Sequence, residues 1–381
     1  QRQMCIRDSC HAWQQRYFVN GREVTNLLHL SDEIRAAGGT AVPNASTPVG
    51  YGAPDLVSAY KMPTSPTGTV AIVDVYDPRY SISQTYTDYQ NYLAYYYPSA
   101  PSKLSILNQT GGTNYTGYRG STGWGLETAL DIEMVAALCP GCNINLVLAK
   151  SASFADLNTA VGFAASGTGF STHPTSISNS YGGSDTSSNY YQNYGIAANN
   201  GIAVTASSGD SGYGPESPAS FGNVIGVGGT SLSGNSTIGW TETSWSGAGS
   251  GCSTRNTMPN YQKPSPVTNC NGKLISDISA VSDPNTGVAV LYKNSWVKVG
   301  GTSVAAPIVA TIFTTYYSAW NGSGTAASNI WSSLKTKLTD VTSGRSNGNC
   351  SRRTSYSANL CTPVAGWDGP TGWGTPRNGL F

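Results

Sequence analysis

The string VGGTS occurs twice, at residues 227–231 and 299–303, and each copy ends in a serine that a glycine-rich turn could present as a nucleophile. The residues after each copy separate the two. Ser231 leads into LSGNSTIGW, a turn-rich stretch carrying a glycosylation sequon, whereas Ser303 leads into VAAPIVATIFTTYY, a strongly apolar helical pattern. Ser303 is therefore expected at a helix N-terminus, where unpaired backbone N–H groups and the helix dipole favour a developing anion. Pro307 falls in the first turn or so, where a missing N–H is tolerated. The competing role for Ser303 is a plain N-cap, and Ser231 reads as a turn residue after a buried strand. GDSG at 209–212 offers Ser211 as well, but a serine of the chymotrypsin kind needs a histidine base oriented by an aspartate. The chain has only His11, His29 and His173, none in such a context.

A serine hydroxyl is a poor nucleophile without an adjacent general base, and with histidine scarce the base must be a carboxylate. Glu127 and Asp131 lie in LETALDIE as an i,i+4 pair on one helical face. Two like charges held that way resist joint ionisation, so one pKa rises and the pair can share a proton. Such a carboxyl can accept and return a proton in acid. A solvated helix face is the alternative, but this helix is largely apolar and lies between two buried-looking strands; Glu133, six residues from Glu127, points elsewhere. Asp210 follows IAVTASSG and so sits at the C-terminal edge of a strand, where open α/β sheets place active sites. Protonated, it could donate a hydrogen bond to an oxyanion; ionised, it would repel one. Asp74, in AIVDVYD, also ends a strand, but with no histidine in an HG-T context after it, it reads as structural or supporting.

The elements that must hold these groups alternate along the chain. TVAIVDV, NINLVLA, IAVTASS and NVIGVGG are short apolar runs of the buried parallel-strand kind. Between them lie helical patterns in DYQNYLAYYYPS, LETALDIEMVAAL, FADLNTAVGFAAS and YYQNYGIAANNG, and SVAAPIVATIFTTYYSAW reads as a long helix over 303–320. GVAVLYKNSWVKVGG reads as a hairpin. Strand–helix alternation predicts one large α/β domain, residues 51–381, around a mostly parallel central sheet flanked by helices. Residues 1–50 read as an irregular N-terminal arm or residual pro-segment.

Composition bounds the setting. Of 381 residues, 11% are charged and the net charge is +1 with no basic block, which argues against a nucleic-acid partner. Few carboxylates and few cations leave little for acid to unsettle, which fits an acid-tolerant secreted protein and equally a glycosylated or Ser/Thr-rich extracellular surface. Eight cysteines fall in pairs close in sequence, permitting four local bridges, and CPGC at 139–142 reads as a staple rather than a redox or zinc half-site. Sequons stand at Asn44, Asn108, Asn114, Asn235 and Asn321. No run is long and apolar enough for a membrane span, and no signal peptide is present. A secreted monomer whose leader has been removed is the expectation.

LETALD, SNSYGG, ASSGDSG, SDPNTG, VGGTSVAAP and the tail DVTSG…GWDGPTGWGTP, in this order, resemble the sedolisin, or serine-carboxyl peptidase, family from residue 69 or earlier to 376. The resemblance implies a subtilisin-like fold and an acid-active peptidase acting on proteins or peptides, made with a pro-domain of its own. It assigns the nucleophile to Ser303, the base to Glu127, its partner to Asp131 and the oxyanion aspartate to Asp210. It further implies one Ca²⁺ bound by Asp340, Asp368 and the carbonyls of Val341, Val364 and Gly366; oxygen ligands suit that ion. Val364 stands where relatives often have glycine. Ser180, Tyr181 and Gly182 resemble the segment that pairs with substrate backbone, onto which an extended peptide could add as a strand. The expected function is a serine-carboxyl endopeptidase working through an acyl-enzyme. The alternatives are a tripeptidyl peptidase of the same mechanism and a noncatalytic secreted binding protein on this scaffold.

Overall fold

The computed structural model describes residues 46–320, 324–348, 350, 358–377 and 379–380, and the backbone of three strands in the amino-terminal arm. Those strands are β1 (Arg16–Val19), β2 (Arg22–Asn26) and β3 (His29–Leu30). The arm, expected to be irregular, is thus tied to the body by backbone pairing. The central sheet uses β4 (Thr69–Val75), β5 (Leu104–Asn108), β6 (Asn143–Ala149), β7 (Ser176–Asn179), then β9 (Ala203–Ser207), which follows the short β8 (Tyr181–Ser184). Beyond a two-residue β10 (Glu216–Ser217) come β11 (Ile225–Asn235) and β12 (Gly239–Ser244). The order is β12-β11-β9-β7-β4-β6-β5. Every pairing from β11 to β5 is parallel, and β12 joins antiparallel. The hairpin β13 (Gly251–Thr257) and β14 (Gly272–Ile275) lies outside it, while β15 (Ile278–Val281) pairs with β11 in parallel. The anticipated hairpin is β16 (Val288–Tyr292) and β17 (Ser295–Gly300).

All seven residues of β4 are buried, and their side chains divide by parity. Val70 and Ile72 enter one core, and Ala71, Val73 and Val75 the other. Burial on both faces explains why these strands read as unbroken apolar runs rather than alternations. The helices Ile82–Tyr96, Trp124–Leu138 and Thr302–Thr315 cover the first face, and Phe154–Ser166 with Asn193–Asn199 the second. The Trp124–Leu138 helix is buried at all but one position and packs on Thr302–Thr315. A helix with no solvated side carries its acids into the interior with it.

Local chemistry sets the start of the second helix. Its N-cap is Gly301 at φ 118°, ψ 159°, a region open essentially to glycine, so Ser303 is the second helical residue and not the cap. The helix ends at Thr315 rather than 320, and Tyr317–Trp320 forms a separate turn. Pro307 sits in the second turn, later than expected. Its missing N–H leaves the carbonyl of Ser303, four residues back, without a helical partner. The Ser180 hydroxyl lies 3.3 Å from that oxygen.

Disulfides join Cys139–Cys142, Cys252–Cys270 and Cys350–Cys361, so CPGC is a staple; Cys5 and Cys10 lie outside the described residues. Of the sequons, Asn114 and Asn235 are exposed, whereas Asn108 is buried and holds its own turn by accepting from Thr110 and Gly112. Glycosylation at Asn108 is incompatible with that arrangement; Asn44 and Asn321 lie outside the described residues. Gly301→Ala should cost about 1–3 kcal/mol, read as a lower Tm by calorimetry, because a Cβ would force the cap out of its conformation and displace Ser303. An unchanged Tm would show that the cap tolerates a side chain.

Candidate active site

The two VGGTS serines have different structural fates. Ser231 lies within β11, opposite Thr243, rather than in a turn, and its hydroxyl donates to Asp283 at 2.6 Å. Ser303 is fully buried at the N-terminus of its helix, with its hydroxyl 3.3 Å from the carbonyl of Ser180. Ser211, in the GDSG string, is exposed.

Glu127 and Asp131 are both fully buried on the neighbouring helix. Glu127 faces the Ser303 hydroxyl closely enough for it to favour the ionised carboxyl, yet neither Glu127 oxygen makes a hydrogen bond. Asp131 Oδ1 accepts from the Ser180 hydroxyl at 2.7 Å, while Oδ2 is buried without a partner. Glu133 turns away, as expected, and accepts from the amide of Leu291 at 2.7 Å.

Asp74 is the residue that sequence reasoning undervalued. It is fully buried at the end of β4, and neither oxygen makes a hydrogen bond. Its charge raises the pKa of both Glu127 and Asp131. Three carboxyl groups are therefore buried close enough to act on one another's ionisation. Burial pushes Asp74 up to about 7, tempered by the nearby Thr128 hydroxyl. Burial first, then the charges of Asp131 and Asp74, hold Glu127 well above the ordinary glutamate range. Burial and then Asp74 do the same to Asp131, against the Ser180 hydroxyl. Like charges packed this way cannot all ionise, so the pocket retains protons that its members must share. The available signal was the position of Asp74 at a buried strand end; what the sequence lacked was the distance to a helix some fifty residues later.

Asp210, buried in the turn after β9, is fixed to the residue before the nucleophile, and its charge also reaches Glu127. Its Oδ1 accepts from both the amide and the hydroxyl of Thr302, each at 2.8 Å. Thr302 is adjacent to Ser303, so this carboxyl and the first helical amides are held as one unit. Ser180 opens the rim of the site: its carbonyl meets Ser303, its hydroxyl meets Asp131, and the chain continues directly into β8, Tyr181–Ser184. Tyr181 points into the core, its hydroxyl bonded to Asn179 and Tyr194, so Tyr181 and Gly182 can serve a substrate only through their backbone.

Of the five residues expected to hold a cation, Asp340, Val364, Gly366 and Asp368 come together. Asp340 Oδ2 accepts from the amide of Gly366 at 2.7 Å, and Asp368 Oδ2 from that of Val364 at 3.1 Å. Asp368 Oδ1 is held by the amide and hydroxyl of Thr371. Asp368 is buried, and burial, with a smaller contribution from the charge of Asp340, pushes it up to about 7. Val341 follows Asp340 in the chain. Among the described residues no group of three or more His, Cys, Asp and Glu forms a metal cluster, so any hard cation here would draw most of its oxygens from the main chain. The Oδ2 atoms of the two carboxyl groups contact main-chain amides, and the charge of Asp340 adds to the raised pKa of Asp368.

The raised carboxyl pKa values have a consequence for folding. In the unfolded chain these groups titrate near 4; in the folded chain Asp74 titrates at about 7. Between those values the folded state binds the extra proton, so this contribution to stability is complete below about pH 4 and is lost as pH rises through about 7. The Tm should be highest near pH 4 and fall toward pH 8. Asp74→Asn should flatten that slope by on the order of a few kcal/mol, checked by calorimetry across the range; a variant as pH-sensitive as the parent would show that Asp74 ionises freely.

Residues 110–373 match the sequence profile of the subtilase family. The chain is 29% identical over 319 residues to kumamolisin of Bacillus sp. (strain MN-32), covering 74% of this chain and 53% of that protein. It is 31% identical over 209 residues to sedolisin of Pseudomonas sp. (strain 101), covering 48% of this chain and 34% of that one. The chain thus spans about half or less of the length of these relatives. In fold it is similar to a Pseudomonas sedolisin, a serine-carboxyl proteinase complexed with two molecules of pseudo-iodotyrostatin, at TM-score 0.70, 24% identity, and 87% and 97% coverage of the two chains. Sphericase is a more distant neighbour in fold, at TM-score 0.54, 18% identity, and 88% and 99% coverage. The chain belongs to the subtilase family, and within it to the sedolisin group.

Proposed function

We propose that this chain is a serine-carboxyl endopeptidase, active in acid and working outside the cell. The observation that carries the reading is the burial of Ser303 at a helix N-terminus facing Glu127, a carboxyl held in a pocket with two others. Glu127 takes the proton of the Ser303 hydroxyl as Ser303 Oγ attacks the scissile carbonyl. The charge that forms on the carbonyl oxygen is met by the helix N-terminus and by Asp210 in its protonated form. Glu127 then returns the proton to the leaving amine, and water reverses the sequence to release the acyl group. Asp131 and Asp74 keep protons in the pocket, so that one negative charge, not three, resides there. Ser180 orients Asp131 and lends its carbonyl to Ser303.

The substrate is a protein or peptide, laid along Tyr181 and Gly182 as an added strand. Arm strand β2 already pairs with that rim at Val24, Thr25 and Asn26, so β8 accepts an added strand. The three disulfides among the described residues and exposed sequons at Asn114 and Asn235 suit an extracellular setting. Among the described residues no helix is long and apolar enough to cross a membrane.

Asp340 and Asp368, with the carbonyls of Val341, Val364 and Gly366, would hold Ca²⁺, which would supply the countercharge that the two carboxylates lack and lock the C-terminal loops. Chelation should lower the Tm by several degrees, with added Ca²⁺ restoring it; a Tm indifferent to chelation, and equally so in Asp368→Asn, would remove the ion from the account.

Casein hydrolysis should be maximal in mild acid, above the first and below the later ionisations of the shared pocket. Ser303→Ala should abolish it, and Glu127→Gln should lower kcat/KM by about 10²–10⁴-fold. A maximum at pH 8 that Glu127→Gln leaves unchanged would overturn the mechanism.

A further inference from the structure

The helix that carries Glu127 begins without a cap of its own. Its N-cap is Gly123, which has no side chain to offer, and its third residue is Leu126, where a glutamate or glutamine would complete a capping box. A residue from another element does both jobs. Asp77 is buried just after β4, and its Oδ2 accepts from the amide of Gly123 at 2.8 Å and from that of Gly125 at 2.9 Å. Its Oδ1 accepts from the amide of Arg79 at 2.8 Å, so the carboxyl is held by its own segment. The carbonyl of Tyr76, the residue before, accepts from the amide of Ser121 at 2.8 Å and fastens the approach to the helix as well. Tyr80 closes the contact. A Cβ on Gly125 would lie 2.5 Å from that of Tyr80, so glycine is what lets this segment and the helix meet so closely.

A serine or aspartate at the N-cap would satisfy these amides locally. Capping from the end of β4 also ties the head of the helix to the segment that carries Asp74, three residues before Asp77. Asp74 acts on the ionisation of Glu127, and Glu127 lies two residues beyond Gly125, in the first turn of the helix. We propose that Asp77 is a positioning residue for the general base: by gripping Gly123 and Gly125 it sets how far the helix advances and how it is turned, and so where the Glu127 carboxyl stands against Ser303 and Asp74. The inference rests on Glu127 acting as the base, as read above. Asp77 acts through the helix and not on the reacting atoms. Proton transfer from Ser303 is steep in distance, whereas the substrate backbone is held by β8, a different element. A loosened grip therefore costs turnover and leaves substrate binding largely intact.

The test compares the full 381-residue chain with Asp77→Ala and Asp77→Asn, on a peptide substrate in mild acid and well below each Tm. In Asp77→Ala, kcat should fall by about tenfold or more while KM stays within about twofold. Asp77→Asn keeps an acceptor oxygen but turns a donor toward one of the three N–H groups, so its kcat should lie between the parent and the alanine variant. It also carries the test alone if the alanine variant does not fold. Hydrogen exchange in the Ser303→Ala background should show slow amides at Gly123 and Gly125, made faster by either change at Asp77. Faster exchange with kcat equal to that of the parent would overturn the proposal, reduce Asp77 to a helix cap and leave the peptidase reading intact. Exchange at Gly123 and Gly125 that neither change affects would overturn the grip itself. A parent chain that cleaves no peptide, or cleaves as well after Glu127→Gln, would remove the base and with it the proposed role, while the exchange result still showed the grip.

Discussion

The site depends on the exclusion of charge from a buried pocket. Asp74, Glu127 and Asp131 are fully buried and reach one another electrostatically, and five of their six oxygens have no hydrogen-bond partner. Water would stabilise three ionised carboxylates at this spacing; a protein interior does not. The pocket is consequently a proton store. One charge can settle on it with neighbouring carboxyls as proton donors, and a second meets both burial and repulsion. Acid is the condition in which such a pocket is comfortable, and it is also the condition in which a histidine would be a spent base.

The rest of the fold serves that constraint. A helix apolar on every side carries Glu127 and Asp131 inward, and a strand buried on both faces carries Asp74 to the same point. A glycine in a conformation closed to other residues turns β17 into the helix that begins with Thr302 and Ser303. Pro307 then leaves the Ser303 carbonyl open to Ser180, which also contacts Asp131, so one serine side chain ties the base's partner to the nucleophile's helix. Asp210 is tied to that helix through Thr302. These are few bonds, but each joins a different pair of elements, and together they fix the acid, base and nucleophile relative to one another.

Much of this was legible in the sequence because it was local. Apolar runs of strand length, the i,i+4 spacing of Glu127 and Asp131, and the apolar helix after Ser303 each arise within a dozen residues. The parallel sheet followed from their alternation. What was missed is long-range. Asp74 looked subsidiary because no nearby residue gave it a partner, and its partners lie on a helix reached only after another strand. Ser231 reads as a turn residue from its polar successors, but β11 continues through it because β12 returns alongside. The arm looked irregular because its strands are completed by β8 and β17, well over a hundred residues away. Asn108 matches a sequon, yet its side chain is spent on its own turn. Short-range pattern reveals the type of an element; partners distant in the chain decide what it is for.

The most direct test of the shared-proton pocket is a ¹³C titration of the carboxyl carbons of Glu127, Asp131 and Asp74 in the folded Ser303→Ala chain. The account predicts linked, multistep curves in which each carbon responds to the ionisation of the others, with the later steps well above the ordinary carboxylate range. Three independent single-step curves near pH 4 would contradict it.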